Sequence, residues 1–597
     1  MTEHSTARDR LERRGPLSIT WPALAEFGAY AVAVALVCWP ALLHARTQMI
    51  GGGGDSRYYT WLGWRLGRLI GEGHLLPGRI PDVIAPFGLD VRLLDGYLPT
   101  YVIGLWNLVV GPFLAFNLTI VVGAALNVLG ARSLARRLST RRLVWVFSAI
   151  AFLTAAPIAL SVQLGWLALF WAFTAPLFVG EAIDVARGTN GVRLLRLTAL
   201  LIVAFLCSVY LLVFGGLAYG VIVGVAAVRR RSWKIPLRTA AAVLLSLLVL
   251  LPFVVPRIRL DRSEKPLLSD SYLYSADALS IVAQPTRSSF LLPRPTVIDQ
   301  SIIRLPDTRH ALESTLFPGL LLLVGFATFL IRRHPLRVPL GLAAATLLVA
   351  AFGPSLKFGG DFVWKHAGKP IGWLPYGLLL DLPGFGALRV PVRSAEVLVA
   401  VMVAGAAVVL DRLFERATAA VVAVGCGLLL ATNLLIPVPT VSMHTSPAVY
   451  DAFGSVKLRK HPGDTLISVP FDCDPYFASY QLLHEAPVVG CANQLAANPW
   501  QSKMTAYTSS EALTKLRCNK KKYGRIATPV HPEEPFGPAD VAQLQRQFGV
   551  RFVVINRELA SYCPTVATAV QFLHQYQRLG IDRTIEVFDL SALEHGA

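Results

Sequence analysis

GPFLAFNLTIVVGAALNVLGARSLARRLSTRR, residues 111–142, decides what kind of chain this is. Residues 112–131 carry no charged side chain. Coiled as a helix rising about 1.5 Å per residue, such a run reaches across a hydrocarbon core of roughly 30 Å. The RSLARRLSTRR that follows, 132–142, holds five arginines. Short loops with that bias stay on the cytoplasmic side of a membrane. An uncharged run of crossing length, stopped by a basic flank, reads as one pass of a membrane protein.

The same pattern extends in both directions. Of the 597 residues, 54% are hydrophobic and 16% charged, whereas a soluble domain averages about a quarter charged. Apolar spans fall at 27–45, 112–131, 143–161, 163–182, 194–210, 212–228, 236–256, 316–332, 337–353, 393–410 and 417–437. Basic segments at 1–26, 132–142, 187–196, 229–238, 332–337 and 411–416 alternate with them. Read as cytoplasmic flanks, they give about eleven crossings, a cytoplasmic N-terminus and residues 440–597 outside. The expected fold is mainly α: a polytopic transmembrane helix bundle in the inner (plasma) membrane. The apolar segment 97–110 is read as an interfacial helix, because a further crossing there would put 132–142 outside. The first apolar helix has no convincing cleavage site after it and is read as a retained signal anchor. The formal net charge of +19 follows from the basic flanks. No nucleic-acid-binding motif accompanies it, so membrane lipids rather than nucleic acid are the expected partners of that charge.

The chain therefore divides into a basic cytoplasmic N-terminus, 1–26, a transmembrane domain, 27–439, and an extracytoplasmic domain, 440–597. Outer loops at 46–111, 257–315 and 354–392 are long, and the inner ones are short. Long connections usually carry function, which puts any chemistry on the outer face. In the C-terminal domain, DTLISVPF (464–471) and RFVVINREL (551–559) read as strands. PADVAQLQRQFG (538–549) has helical spacing and a terminal glycine. Helix, glycine and strand in that order predict a small α/β domain. Cys38, Cys207 and Cys426 fall within apolar spans, whereas Cys473, Cys491, Cys518 and Cys563 all fall in the C-terminal domain. In an oxidising compartment those four are expected to form disulfides, with the connectivity open.

The chemistry centres on MIGGGGDSRYYTWLGWRLGRL, residues 49–69, directly after the first apolar run. Asp55 there reads in two ways. It is a suitable helix N-cap. It is equally a carboxylate held at the membrane surface, able to take a proton from a hydroxyl or to bind Mg²⁺ or Mn²⁺. Asp82, Asp90 and Asp95 follow in the same loop; the first two read as solvated groups and Asp95 as a possible second carboxylate. Gln163 and Trp166 form a tight outer turn, and Asn117 and Asn127 read as hydrogen-bonding groups between helices. There is no zinc-ligand spacing, no nucleotide-binding glycine loop and no serine-hydrolase elbow.

An aspartate just past the first transmembrane helix, followed by an amphipathic loop helix, resembles the GT-C class of membrane glycosyltransferases. GGGGDSRYYTWLGWRLGRLIGEGHLLPGRIPDVIAPFGLDVRLL, LPTYVIGLWNLVVGPFLAFNLTIVVG, YLYSADALSIVAQP with ESTLFPG, and LPGFGALRVPVRSAEVL are together similar to bacterial, largely actinobacterial, GT-C-like proteins of undefined activity. The similarity covers most of residues 46–440. Ser56 stands where the pattern has proline, and a paired acidic motif in the first loop is absent. The resemblance implies transfer of a sugar from a polyprenyl-phosphate donor to a cell-envelope glycan, lipid or protein, with inversion at the anomeric carbon. Asp55 would be the base. Arg389 and Arg393, at the mouth of a transmembrane helix, would hold the leaving phosphate, since guanidinium binds phosphate bidentately. Arg57 and Arg65 on the Asp55 helix, and Glu313 in ESTLFPG, are further expected substrate-binding residues. The sequence assigns no certain cofactor; if Mg²⁺ or Mn²⁺ takes part, Asp55 is the expected ligand. The rival expectation is a non-enzymatic protein of the same fold, either a lipid-linked glycan transporter or an envelope-assembly scaffold.

Overall fold

The computed structural model describes residues 21–39, 41–52, 54–83, 85, 88–188, 191–263, 268–282, 315–367, 369–380, 382, 388–431, 438–442, 446–471, 475–490, 510–517, 535–561 and 563–593. The molecule is a bundle of apolar helices with a five-stranded sheet near its C-terminus.

Among the described residues, five helical spans are long and apolar enough to cross a membrane: Pro112–Arg136, Leu167–Arg187, Val209–Arg230, Lys234–Ile258 and Pro391–Arg416. Arg142–Thr154 and Ala156–Leu164 make a sixth if the pair is one span, bent by 47° at Ala155. Pro157 lies in the first turn after that bend, where its missing N–H costs nothing. Trp21–Val37, Leu194–Cys207, Leu320–Ile331, Arg337–Ala351 and Ala419–Leu430 are shorter apolar helices in the remaining expected spans. This is a membrane protein. The segment expected at the interface is indeed helical, Tyr97–Val110. It exposes Leu105, Trp106, Leu108 and Val109 and meets Pro112–Arg136 at Gly111.

Burial sorts the helices by depth in the bundle. Ala395–Arg416 is the axis, with an unbroken buried run from Ala395 to Leu410. A helix apolar on every side belongs inside a large core. Leu320–Ile331 packs closely on it: a Cβ on Gly325 would lie 2.8 Å from Ala406 Cβ, and one on Gly405 2.5 Å from Phe326. Small residues at such contacts let helix backbones approach. Lys234–Ser263 lies at the rim and exposes Leu244, Leu247, Leu248 and Val249.

In the sheet, Val488–Val489, Thr465–Val469 and Val550–Asn556 run parallel. Ile585–Leu593 adds antiparallel to Val550–Asn556, and Tyr576–Ile581 forms the far edge. The helix Pro538–Phe548 ends at Gly549, whose φ of 67° is the left-handed conformation a helix C-terminus calls for. Cys563 is disulfide-bonded, and Cys38, Cys207 and Cys426 are free. Cys473, Cys491 and Cys518 lie outside the described residues.

The sheet sits against the Asp55 side of the bundle. Gln48–Ile50, just after the first helix, pairs antiparallel with Thr440–Ser442, just after the last. Helix Gly54–Gly71 packs on Pro475–His484, where Trp61 Nε1 donates to Gln481 Oε1 at 2.7 Å. Gln481 Nε2 donates in turn to the Asp82 and Ala486 carbonyls.

Candidate functional site

Asp55 lies in the first turn of helix Gly54–Gly71. The backbone leading to it is fixed from three sides. Asn117, buried in Pro112–Arg136, accepts from Ile50 N at 2.9 Å and donates to the carbonyls of Ala45 and Gln48 at 2.8 and 2.7 Å. It fastens this loop rather than joining two helices. Gly51 N donates to Pro439 O, and Gly52 N to Gln163 O. Ser56 Oγ donates to Ile50 O at 2.8 Å. A Cβ on Gly51, whose φ is 101°, would fall 2.5 Å from that hydroxyl. Gly165 presses on the same hydroxyl from the Gln163–Trp166 turn. Ser56 thus provides a hydrogen bond that closes the turn before Asp55.

One helical turn on, the buried Tyr59 links Asp55 to the rest of the site. Burial first, then the carboxylates of Asp95 and Asp55, push its hydroxyl well above the ordinary tyrosine range, with Arg393 opposing. Tyr58 is raised by burial and then by Asp55. Burial therefore favours the protonated form of both phenols.

Asp95 is held from two directions. Its oxygens accept from Ser208 Oγ at 2.8 Å and from Val209 N at 2.9 Å, at the N-terminus of helix Val209–Arg230. A helix N-terminus favours a carboxylate. Arg257, from the rim helix, donates to the Leu93 carbonyl at 2.8 Å and so secures the chain just before it.

Arg393 belongs to the turn Pro391–Ser394 that opens the axial helix. Its guanidinium lies 4.5 Å from the Tyr210 ring centre and 5.7 Å from that of Trp166. Asp95, Glu396 and Tyr59 are its charged or polar neighbours. Lying over two aromatic rings, it points into the protein instead of snorkelling to headgroups. Arg389 is half-buried and acts on the same Tyr210. Tyr376 is buried, within electrostatic reach of Arg393 and Tyr210, and its hydroxyl donates to the Leu388 carbonyl.

Asp55, Asp95, Arg389 and Arg393, spread over more than three hundred residues of sequence, thus share one group of aromatic side chains. Three other arginines, all on the Asp55 helix, have different partners. Arg57 donates to the Ser442 carbonyl at 3.1 Å. Arg65 forms an ion pair with Asp82, and Arg68 pairs with Glu485 at 2.9 Å. Arg57 and Arg68 tie the Asp55 helix toward the C-terminal part, and Arg65 ties it to its own loop. Asp82 is accordingly an ion-pair partner, not a solvated loop group. Asp90 bonds Arg92 through both oxygens. Asn127, within Pro112–Arg136, donates to the Phe170 carbonyl. Glu313 lies outside the described residues.

Tyr59, Tyr210 and Glu396 are members of the site that the sequence reading passed over. Glu396 had a signal: a carboxylate opening an otherwise apolar helix, where an ionisable group is costly and so is retained for a purpose. The tyrosines had none, since each sits in an apolar run like many others. Among the described residues, no three His, Cys, Asp or Glu side chains gather as a metal-holding group. Asp95 already serves the N-terminus of Val209–Arg230, so this set does not fit a carboxylate cage for a divalent cation.

No protein-family model and no curated protein sequence matches the chain. Solved structures do. Arabinofuranosyltransferase AftD from Mycobacteria matches 97% of this chain and 42% of its own, at 14% identity and a TM-score of 0.52. ArnT from Cupriavidus metallidurans bound to undecaprenyl phosphate matches 96% of this chain and 98% of its own, at 15% identity and a TM-score of 0.46. Oligosaccharyltransferase AglB from Archaeoglobus fulgidus, in complex with an inhibitory peptide and a dolichol-phosphate, matches 94% and 73%, at 13% identity and a TM-score of 0.46. The chain spans less than half the length of AftD, whose likeness is the one that bears on the fold. The fold is GT-C-like, a membrane helix bundle with a sheet domain near the C-terminus.

Proposed function

We propose that this GT-C-like chain is an integral-membrane glycosyltransferase of the plasma membrane. It takes a sugar from a polyprenyl-phosphate donor and passes it to a cell-envelope glycan, lipid or protein on the outer face. The N-terminus is cytoplasmic and the sheet domain lies outside. The observation that carries the reading is the Arg393 guanidinium lying over the Tyr210 and Trp166 rings, 4.5 and 5.7 Å from their centres, in a site whose Tyr59 feels the charges of Asp55, Asp95 and Arg393. A base for an acceptor and a cation for a phosphate meet there at the mouth of the bundle.

The chemistry follows from those positions. Asp55, on a backbone fixed by Asn117, Ser56 and Gln163, takes the proton of the acceptor hydroxyl. The acceptor oxygen attacks the anomeric carbon, and the bond from that carbon to the phosphate oxygen breaks with its electron pair on the phosphate. Arg393 and Arg389 stabilise the charge that develops there. Attack opposite the leaving group inverts the anomeric centre. The rings of Tyr210 and Trp166 hold the Arg393 guanidinium in position before the donor arrives, with the Asp95 charge favouring it, so little reorganisation is needed during reaction.

Binding of undecaprenyl phosphate to the full chain in nanodiscs tests the assignment of the arginines. Arg393→Gln should weaken binding at least about tenfold, the order expected when a charge-assisted pair is removed. Asp55→Asn should bind like the parent. Equal affinity of Arg393→Gln and the parent would remove the phosphate from this site.

A further inference from the structure

Two short hairpins follow the helix Arg337–Ala351 and precede the turn carrying Arg393. Lys357–Phe358 pairs with Asp361–Phe362, and Lys365–His366 with Lys369–Pro370. Their inner side is anchored. Phe362 meets Tyr272 edge-on at 5.8 Å, buried Lys357 donates to the Leu273 and Ser275 carbonyls, and Asp277 accepts from Gly360 N at 2.7 Å. Trp373 N and Leu374 N both donate to Pro354 O, which returns the chain to the end of the membrane helix.

The outer side is unlike a water-facing loop. Phe358, Trp364 and Trp373 are 58%, 40% and 53% exposed, with Val363 and Ile371 beside them. Trp364 and Trp373 pack edge to face with centroids 4.5 Å apart, so they present one rigid pair. Lys365, His366 and Lys369 are exposed around them, against a single exposed Asp361 that pairs with Lys365. Such short strands leave backbone groups without ladder partners, and these cannot enter hydrocarbon. Tryptophan prefers the headgroup layer, and lysines there are drawn to anionic lipid. Both ends of the segment join apolar helices, which sets it at the membrane surface.

We infer that the hairpins 357–373 form an interfacial foot, seating Trp364 and Trp373 among headgroups and Lys365 and Lys369 on the phosphates of anionic phospholipid. The same segment continues into buried Tyr376, whose hydroxyl donates to the Leu388 carbonyl just before the Arg393 turn, so a seated foot fixes the site relative to the leaflet that holds a lipid-borne substrate.

The test uses tryptophan fluorescence of the full chain in nanodiscs. The signal of interest is the difference between the parent and Trp364→Phe/Trp373→Phe. In nanodiscs of phosphatidylcholine with phosphatidylglycerol, that difference should be lost when the lipids are brominated high on the acyl chain, and should persist against aqueous iodide. In phosphatidylcholine alone, or in Lys365→Gln/Lys369→Gln, bromine quenching should weaken. Quenching by iodide would put the pair in water. Resistance to both quenchers would mean that protein covers it, a second copy included. Equal bromine quenching with and without phosphatidylglycerol would remove the anionic lipid. Each of these three results overturns the proposal.

Discussion

Ser56 and Gly51 show how tightly Asp55 is held. The serine hydroxyl bonds the Ile50 carbonyl, and the glycine provides both the left-handed backbone and the space that hydroxyl occupies. Gly51→Ala should lower thermal stability by about 1–3 kcal/mol, because strain and overlap act together. Ser56→Ala should cost about 1 kcal/mol, the net worth of one hydrogen bond. Unfolding in detergent with the two variants side by side measures both; equal stability of Gly51→Ala and the parent would contradict the packing described. At Arg393 the planar guanidinium lies over the Tyr210 and Trp166 rings, contacts that a compact ammonium reproduces less well. Arg393→Lys should therefore reduce sugar transfer while leaving the chain folded, which the transfer rate and the melting temperature separate. The places of Asp55 and Arg393 were legible in the sequence, because each stands at the start of a helix at the edge of an apolar run. Tyr59 and Tyr210 were not. Their role depends on which helices become neighbours, and no local pattern encodes that.

Buried Lys357 marks how the outer segments are fastened together. Burial pulls its ammonium down from 10.5 to about 8, with Asp277 opposing. Above 10.5 the lysine is neutral whether the chain is folded or not, so burial carries no ionisation penalty. As pH falls from 10.5 toward 8 the unfolded chain binds the proton first, and stability is lost. Relative to Lys357→Met, the parent should gain stability as pH rises from 8 to 10.5. Chemical denaturation at the two ends of that range checks the slope, and no difference in slope between parent and variant would contradict the buried state. At this scale the sequence was clearest where chemistry is local. PADVAQLQRQFG carries its own period and stop and became Pro538–Phe548 with Gly549. Tyr576–Ile581, with Gln577 and Arg578 in a six-residue edge strand, has no apolar alternation to announce it. Thr440–Ser442 is a strand only because Gln48–Ile50, at the other end of the bundle, lies beside it.

For the whole molecule, alternating apolar runs and basic flanks were enough to predict a membrane bundle, since chain solubility in lipid is set by composition along each segment. The packing order was not readable. That Ala395–Arg416 is the axis and Lys234–Ser263 the rim follows from contacts among helices of nearly the same hydropathy. The proposed orientation places residues 229–238 inside and the sheet domain outside. Impermeant thiol labelling of single cysteines in intact cells should reach the sheet domain and miss 229–238, and the reverse pattern would invert the account.

The central claim is that Asp55 is a base and not merely part of a helix terminus. Asparagine is nearly isosteric and suits a helix N-terminus about as well, so Asp55→Asn separates chemistry from capping. Transfer of a polyprenyl-phosphate-linked sugar by the purified full chain should fall by about 10² to 10⁴, the usual contribution of a general base. Its melting temperature and its undecaprenyl phosphate affinity should stay those of the parent. Transfer by Asp55→Asn at the parental rate would contradict the account.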